Sequence, residues 1–131
     1  MPKISREKIK VKGLKRIWLS IKYSAEGFMY AYKYEQSMII HLIATILSII
    51  LGFVCRVKTT EWIFIAIILS VILAAEFINT AIETAVDLTT TEINPLAKIA
   101  KDCGSAATFV LSMMGAVVGL YIFLPYIIAW F

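Results

Sequence analysis

Charge is scarce in this sequence: only 17% of its 131 residues are Asp, Glu, Lys or Arg, while 60% are hydrophobic. Soluble domains are roughly 45–50% apolar and about 25% charged, so the composition excludes an ordinary water-soluble domain. Residues 104–131 contain no Lys, Arg, Asp, Glu or His. Cysteine is limited to Cys55 and Cys103, which fall at opposite ends of apolar runs. They therefore sit on opposite faces of a membrane, which excludes a disulfide within one chain. The single histidine, His41, has no metal-site spacing around it and reads as a hydrogen-bonded packing residue. Gly-x-x-x-x-Gly-Lys-Ser/Thr, Gly-x-Gly-x-x-Gly and Gly-x-Ser-x-Gly are all missing. Any nucleotide chemistry must therefore use an arrangement other than the soluble phosphate loops. No apolar stretch of signal-peptide length precedes Met38 and no small-residue cleavage pattern precedes the first apolar run, so the N-terminus is expected to be retained.

What is present is three long apolar runs, residues 38–54, 62–75 leading into a segment that carries acids, and 104–131. At about 1.5 Å per residue each can supply a helix across a hydrocarbon core of about 30 Å. The expected fold is a single all-α membrane domain over residues 1–131. Its transmembrane helices cover residues 37–55 and 62–87, and a third helix covers residues 95–130. Asn94 is suited to cap that helix and Pro95 to be its first residue. Gly104, Ser105, Ala106, Ala107, Gly115, Ala116 and Gly119 allow close helix contact in lipid. Nine of the thirteen basic residues lie in residues 1–34, against only Glu7 and Glu26. That asymmetry keeps the N-terminus cytoplasmic and sends residues 55–61 outside, although Arg56 and Lys58 in the outer turn oppose it.

Before the first run, Leu14, Ile17, Trp18, Ile21, Ala25, Phe28 and Tyr32 recur at helical spacing on one face. Residues 14–33 are expected to form an amphipathic surface helix, with Lys15 and Lys22 flanking its apolar stripe. Arg16 and Tyr23 lie on the opposite stripe, either solvated or facing a cytosolic ligand.

The second run continues into a polar segment. Glu76, Asn79, Glu83 and Asp87 follow one another at i, i+3, i+7 and i+11, about 0°, −60°, −20° and +20° around a helix. Exposing such acids to lipid costs roughly 2.5–3.5 kcal/mol for Asp on insertion scales, so the stripe must face protein, water or a cation. By helical rise Glu83 lies about 6 Å, and Glu76 about 16 Å, below Asp87. Apart from the N-terminal region, Lys98 and Lys101 are the only bases on that side. Clustered carboxylates with few bases suit Mg²⁺, which binds through one or two carboxylates together with phosphates, and Glu35 at the same boundary could add a ligand. On the residues alone, catalysis, a proton or cation transporter or channel, and a purely structural cluster all stay open.

The combination Glu76-x-x-Asn79-x-Ala81-Ile82-Glu83-x-x-x-Asp87, with Ala100-Lys101-Asp102, Glu35, and Arg16 and Tyr23 in the amphipathic start, resembles one family. It is the small prokaryotic integral-membrane lipid kinases, diacylglycerol kinase and its Gram-positive undecaprenol kinase branch. His41, Thr60-Glu61-Trp62 and Asn94-Pro95-Leu96-Ala97-Lys98 look closer to the undecaprenol branch. Gly104-Ser105-Ala106-Ala107 also resembles the diacylglycerol branch, so that substrate stays open. The resemblance implies a homotrimer in the bacterial plasma membrane, with active sites shared between subunits. That state would answer a physical difficulty, because three helices alone have little interior in which to shelter the acids. By the same resemblance Glu76 would be the catalytic base, and Glu35 and Glu83 would hold Mg²⁺ with the nucleotide. Lys101 would contact phosphates. Arg16, Tyr23, Glu92, Ile93, Asn94 and Asp102 would help place ATP, and Asn79 and Asp87 would support the polar cluster.

Overall fold

The computed structural model describes residues 13–89 and 92–131, all helical apart from short connections. The helices are α1 (Leu14–Tyr34), α2 (Gln36–Cys55), α3 (Thr59–Thr89) and α4 (Pro95–Ile128). The basic residues at positions 3–12, which carry much of the expected charge asymmetry, lie outside the described residues.

The chain forms two compact units, one ending at Tyr34 and the other Glu35–Phe131. In the first, Gly13 (φ 78) takes a left-handed turn that only glycine adopts freely, and its carbonyl accepts the N–H of Arg16 to open α1. Side chains one turn apart then meet along α1. Lys22 pairs with Glu26 at 3.8 Å, and Phe28 and Tyr32 stack at 6.2 Å. Leu14, Trp18 and Ile21 are exposed.

In the second unit α2, α3 and α4 are each long and apolar enough to cross a membrane. Glu35 is the N-cap residue of α2, with an extended backbone and a side chain that makes no cap hydrogen bond. The helix ends in a Schellman motif. The Val57 N–H donates to the Gly52 carbonyl (3.1 Å) and the Arg56 N–H to that of Phe53 (3.2 Å), with Arg56 left-handed at φ 53. The motif turns Val57 inward, where it is buried with Cys55, Ile65, Ile122 and Phe123. Both cysteines are free.

α3 starts at Thr59, three residues before the expected start at 62. Glu61 accounts for the difference: at the third helical position its Oε2 accepts the Lys58 N–H at 2.7 Å, half of a capping box. The Tyr126 hydroxyl of α4 donates to the same oxygen at 2.6 Å, tying two helices together at this end. At 31 residues α3 is about 46 Å long, so it outruns the hydrocarbon core and can carry its last turns into the headgroup region. α4 begins at Pro95 as expected, because the Asn94 side chain accepts the N–H groups of Leu96 (2.8 Å) and Ala97 (3.4 Å). It ends at Ile128, two residues short of the expected 130, one turn beyond Pro125.

α3 and α4 form the most extensive pairing, and α2 packs against both. Glycine allows the closest approaches. A Cβ on Gly52 would stand 2.5 Å from Trp62 Cη2, and one on Gly115 2.7 Å from Ile72 Cδ1. Much of the apolar surface points outward, with Phe53 71% and Tyr121 84% exposed. Contiguous exposure on that scale needs lipid or further protein around it.

Candidate active site

The acidic stripe divides between two partners. Glu76 is only 4% exposed, and both of its oxygens are held from α2. Ser37 Oγ donates to Oε2 at 2.9 Å, and His41 Nε2 lies 3.0 Å from Oε1. Ser37 and His41 are four residues apart and so share one face of α2. A single chain thus shelters the deepest acid, while Glu83 is only partly buried and Asp87 stays exposed.

Further along α3, Asn79 Nδ2 donates to Glu83 Oε1 at 2.8 Å. Asn79 Oδ1 is buried without a hydrogen-bond partner, and it lies so close to Gly104 of α4 that a Cβ there would collide with it. Beyond it Lys101 Nζ pairs with Asp87 Oδ1 at 2.5 Å, and Lys98 pairs with Asp102 one turn away on α4. The two scarce bases of this side are therefore each matched to an acid.

Two cavities flank these groups. A polar one of about 540 Å³ is lined by Val86, Asp87, Glu92, Ile93, Asn94, Ala97, Lys98, Lys101 and Asp102. An apolar one of about 650 Å³ lies between α2, α3 and α4, with walls that include Ile40, Ile68, Ile72, Gly115 and Phe123. His41 and Thr45 line it too, and the Thr45 hydroxyl is buried without a partner. His41 thus touches both the apolar cavity and the Glu76 carboxylate.

Of the residues expected at a site, Asp87, Glu92, Ile93, Asn94, Lys101 and Asp102 surround one cavity, while Glu76, Asn79 and Glu83 approach it along α3. Glu35 precedes Ser37 at the same end of the antiparallel α2–α3 pair. Arg16 and Tyr23 belong to α1, in the first compact unit. Ser37 carries no sequence signal of its own, and His41 reads from sequence as a packing residue. Among the described residues no three of His, Cys, Asp and Glu converge as a ready metal site.

Fold and site together define a small three-span helical membrane protein whose middle span carries acids from one end into its buried centre. Comparison with known proteins gives the family. A family profile described as "Prokaryotic diacylglycerol kinase" matches residues 22–123. The undecaprenol kinase of Bacillus subtilis is 34% identical over 112 residues, covering 86% of this chain and 91% of that protein. The diacylglycerol kinase of Helicobacter pylori strain 26695 is 36% identical over 101 residues, 77% of this chain and 79% of that protein. That of Pseudomonas aeruginosa is 37% identical over 98 residues, 75% and 80% respectively. The chain belongs to the prokaryotic diacylglycerol kinase family, a family of membrane lipid kinases. Kinase membership implies ATP as phosphoryl donor. The matched segment contains every expected site residue except Arg16.

Proposed function

We propose that the chain transfers the γ-phosphoryl group of ATP to the hydroxyl of a membrane lipid alcohol at the cytoplasmic leaflet. Undecaprenol is the preferred acceptor and undecaprenyl phosphate the product. One observation carries the reading: the Glu76 carboxylate is fixed beside an apolar cavity, on a helix whose outer turns border a polar one. A lipid hydroxyl can reach Glu76 with its chain in apolar surroundings, while a triphosphate occupies the polar side. The undecaprenol preference is supported by the Bacillus subtilis relative, matched over 91% of its length. Diacylglycerol is the second reading, because other relatives are diacylglycerol kinases.

In this mechanism the lipid oxygen attacks the γ-phosphorus as its proton passes to the Glu76 carboxylate. The bond from phosphorus to the β–γ bridging oxygen breaks and ADP leaves. Lys101 has three donors, so it can keep Asp87 and still reach phosphate oxygens. Asn94, Glu92, Ile93 and Asp102 shape the nucleotide side, and Arg16 and Tyr23 are proposed, on the family resemblance, to help place ATP. Glu35 and Glu83 would hold Mg²⁺. The fit is supported by the Glu35 side chain making no cap hydrogen bond and by Asn79 orienting Glu83, since two carboxylates completed by phosphate oxygens and water suit this ion. When bound, Mg²⁺ neutralises charge on the phosphates. Positioning of the hydroxyl in line supplies much of the remaining rate.

The working assembly in this proposal is a homotrimer with sites shared between neighbours, and exposed apolar faces such as that of Phe109 are available for its contacts. α1 lies on the inner leaflet through its apolar stripe. The test is to supply purified protein with labelled ATP, Mg²⁺ and separate micelles of C55 polyprenol and diacylglycerol. Faster initial labelling of the polyprenol is expected. Faster labelling of diacylglycerol would transfer the assignment to the second reading, and no labelled lipid in either would end both.

A further inference from the structure

We infer that Ser37 and His41 are positioning residues that clamp the Glu76 carboxylate in the orientation that accepts the proton of the lipid alcohol. This rests on the proposed role of Glu76 as base. The two donors come from successive turns of one helix and take one oxygen each, at 2.9 and 3.0 Å. A glutamate reaching across from α3 has three side-chain torsions of its own, and a single hydrogen bond would leave the carboxylate free to swing about it. Two donors anchored on a neighbouring helix remove that freedom. A carboxylate offers about four lone-pair directions, so the clamp leaves two for a substrate hydroxyl.

The surroundings also give direction. Glu76 is 4% exposed, whereas the His41 ring that holds it lines the apolar cavity. An alcohol whose chain enters between the spans therefore meets the clamp at the polar margin of that cavity. A carboxylate that is to accept the alcohol's proton can only accept hydrogen bonds, so the clamp requires the hydrogen of the His41–Glu76 pair on Nε2, and the property it requires of residue 41 is an N–H donor.

The test compares purified Ser37→Ala, His41→Leu and His41→Gln proteins with the wild type in assembly size, kcat, and KM for lipid and for Mg-ATP. A misplaced reacting group costs up to about a hundredfold in rate. We expect Ser37→Ala and His41→Leu to lower kcat about tenfold to a hundredfold while KM for Mg-ATP stays near the wild-type value. His41→Gln, which keeps an N–H donor, should recover most of the lost kcat. Wild-type kcat in Ser37→Ala or in His41→Leu overturns the clamp, as does a His41→Gln protein no better than His41→Leu. If His41→Leu fails to assemble, Ser37→Ala decides alone, because it removes only a hydroxyl. A Glu76→Gln protein that keeps turnover defeats the base assignment itself. An inactive Glu76→Gln protein beside fully active clamp variants defeats only this inference.

Discussion

Asn79 donates from Nδ2 to Glu83 Oε1 at 2.8 Å, while its Oδ1 rests against Gly104 of the next helix with no hydrogen-bond partner. The missing side chain at position 104 is what lets α4 come this close to the amide. The amide in turn fixes one oxygen of a carboxylate proposed to hold Mg²⁺. Close helix packing and the proposed metal binding are thereby linked through one asparagine.

Two substitutions probe that link from opposite ends. Glu83→Gln should raise the Mg²⁺ concentration needed for half-maximal activity at least about tenfold, since a charged oxygen is lost from the ion's surroundings. Gly104→Ala should shift the same titration in the same direction, because the new Cβ displaces Asn79 from its place. A Mg²⁺ titration of Glu83→Gln that overlays the wild type would remove Glu83 from the metal site.

Stability at the opposite end depends on the approach of Trp62 to Gly52. A Cβ on residue 52 would stand 2.5 Å from the indole, with Phe53 already packed against that ring at 5.0 Å between centroids. Gly52→Ala should therefore destabilise the protein by about 1–3 kcal/mol, the usual cost of overpacking. A lowered thermal midpoint in detergent would register this, and an unchanged midpoint would show that the indole can move aside.

The start of α4 depends on Asn94. Its side chain satisfies two N–H groups that the helix leaves unpaired, so Asn94→Ala should cost about 1 kcal/mol, whereas Asn94→Asp should retain the cap. Asn94 also borders the polar cavity, so KM for Mg-ATP in Asn94→Asp tests a second role. A rise there, with the thermal midpoint unchanged, would separate nucleotide placement from capping.

Orientation is testable by labelling. Single cysteines placed by Lys58→Cys and Lys98→Cys, in a background without Cys55 and Cys103, lie at opposite ends of the bundle. In intact cells an impermeant thiol reagent should modify the first and spare the second. The reverse pattern would put the polar cavity on the side without ATP.

The helices were legible in sequence because their determinants are local. Apolar length gave three spans, and Asn94-Pro95 marked the start of α4 to the residue. The early start of α3 lies outside its apolar run, because it depends on Glu61 accepting the Lys58 N–H rather than on hydrophobicity. The acid stripe was visible as a face of one helix, but its partners were not. Which of Ser37, His41, Lys98 and Lys101 meets which acid depends on how neighbouring helices stand against α3, and spacing along one chain does not carry that. Ser37 left no separate mark, since a serine near the start of an apolar helix is ordinary. The contact of Asn79 with Gly104 is of the same kind: the small residues of α4 signalled close packing without saying which side chain would fill the space.

The central claim is that Glu76 accepts the proton of a lipid alcohol during phosphoryl transfer. It is tested most directly by measuring label transfer from ATP to C55 polyprenol in wild-type and Glu76→Gln proteins matched for assembly size. Loss of at least about a hundredfold in kcat, with the assembly intact, is the predicted result for removal of a general base. Turnover near the wild-type rate in Glu76→Gln would contradict it.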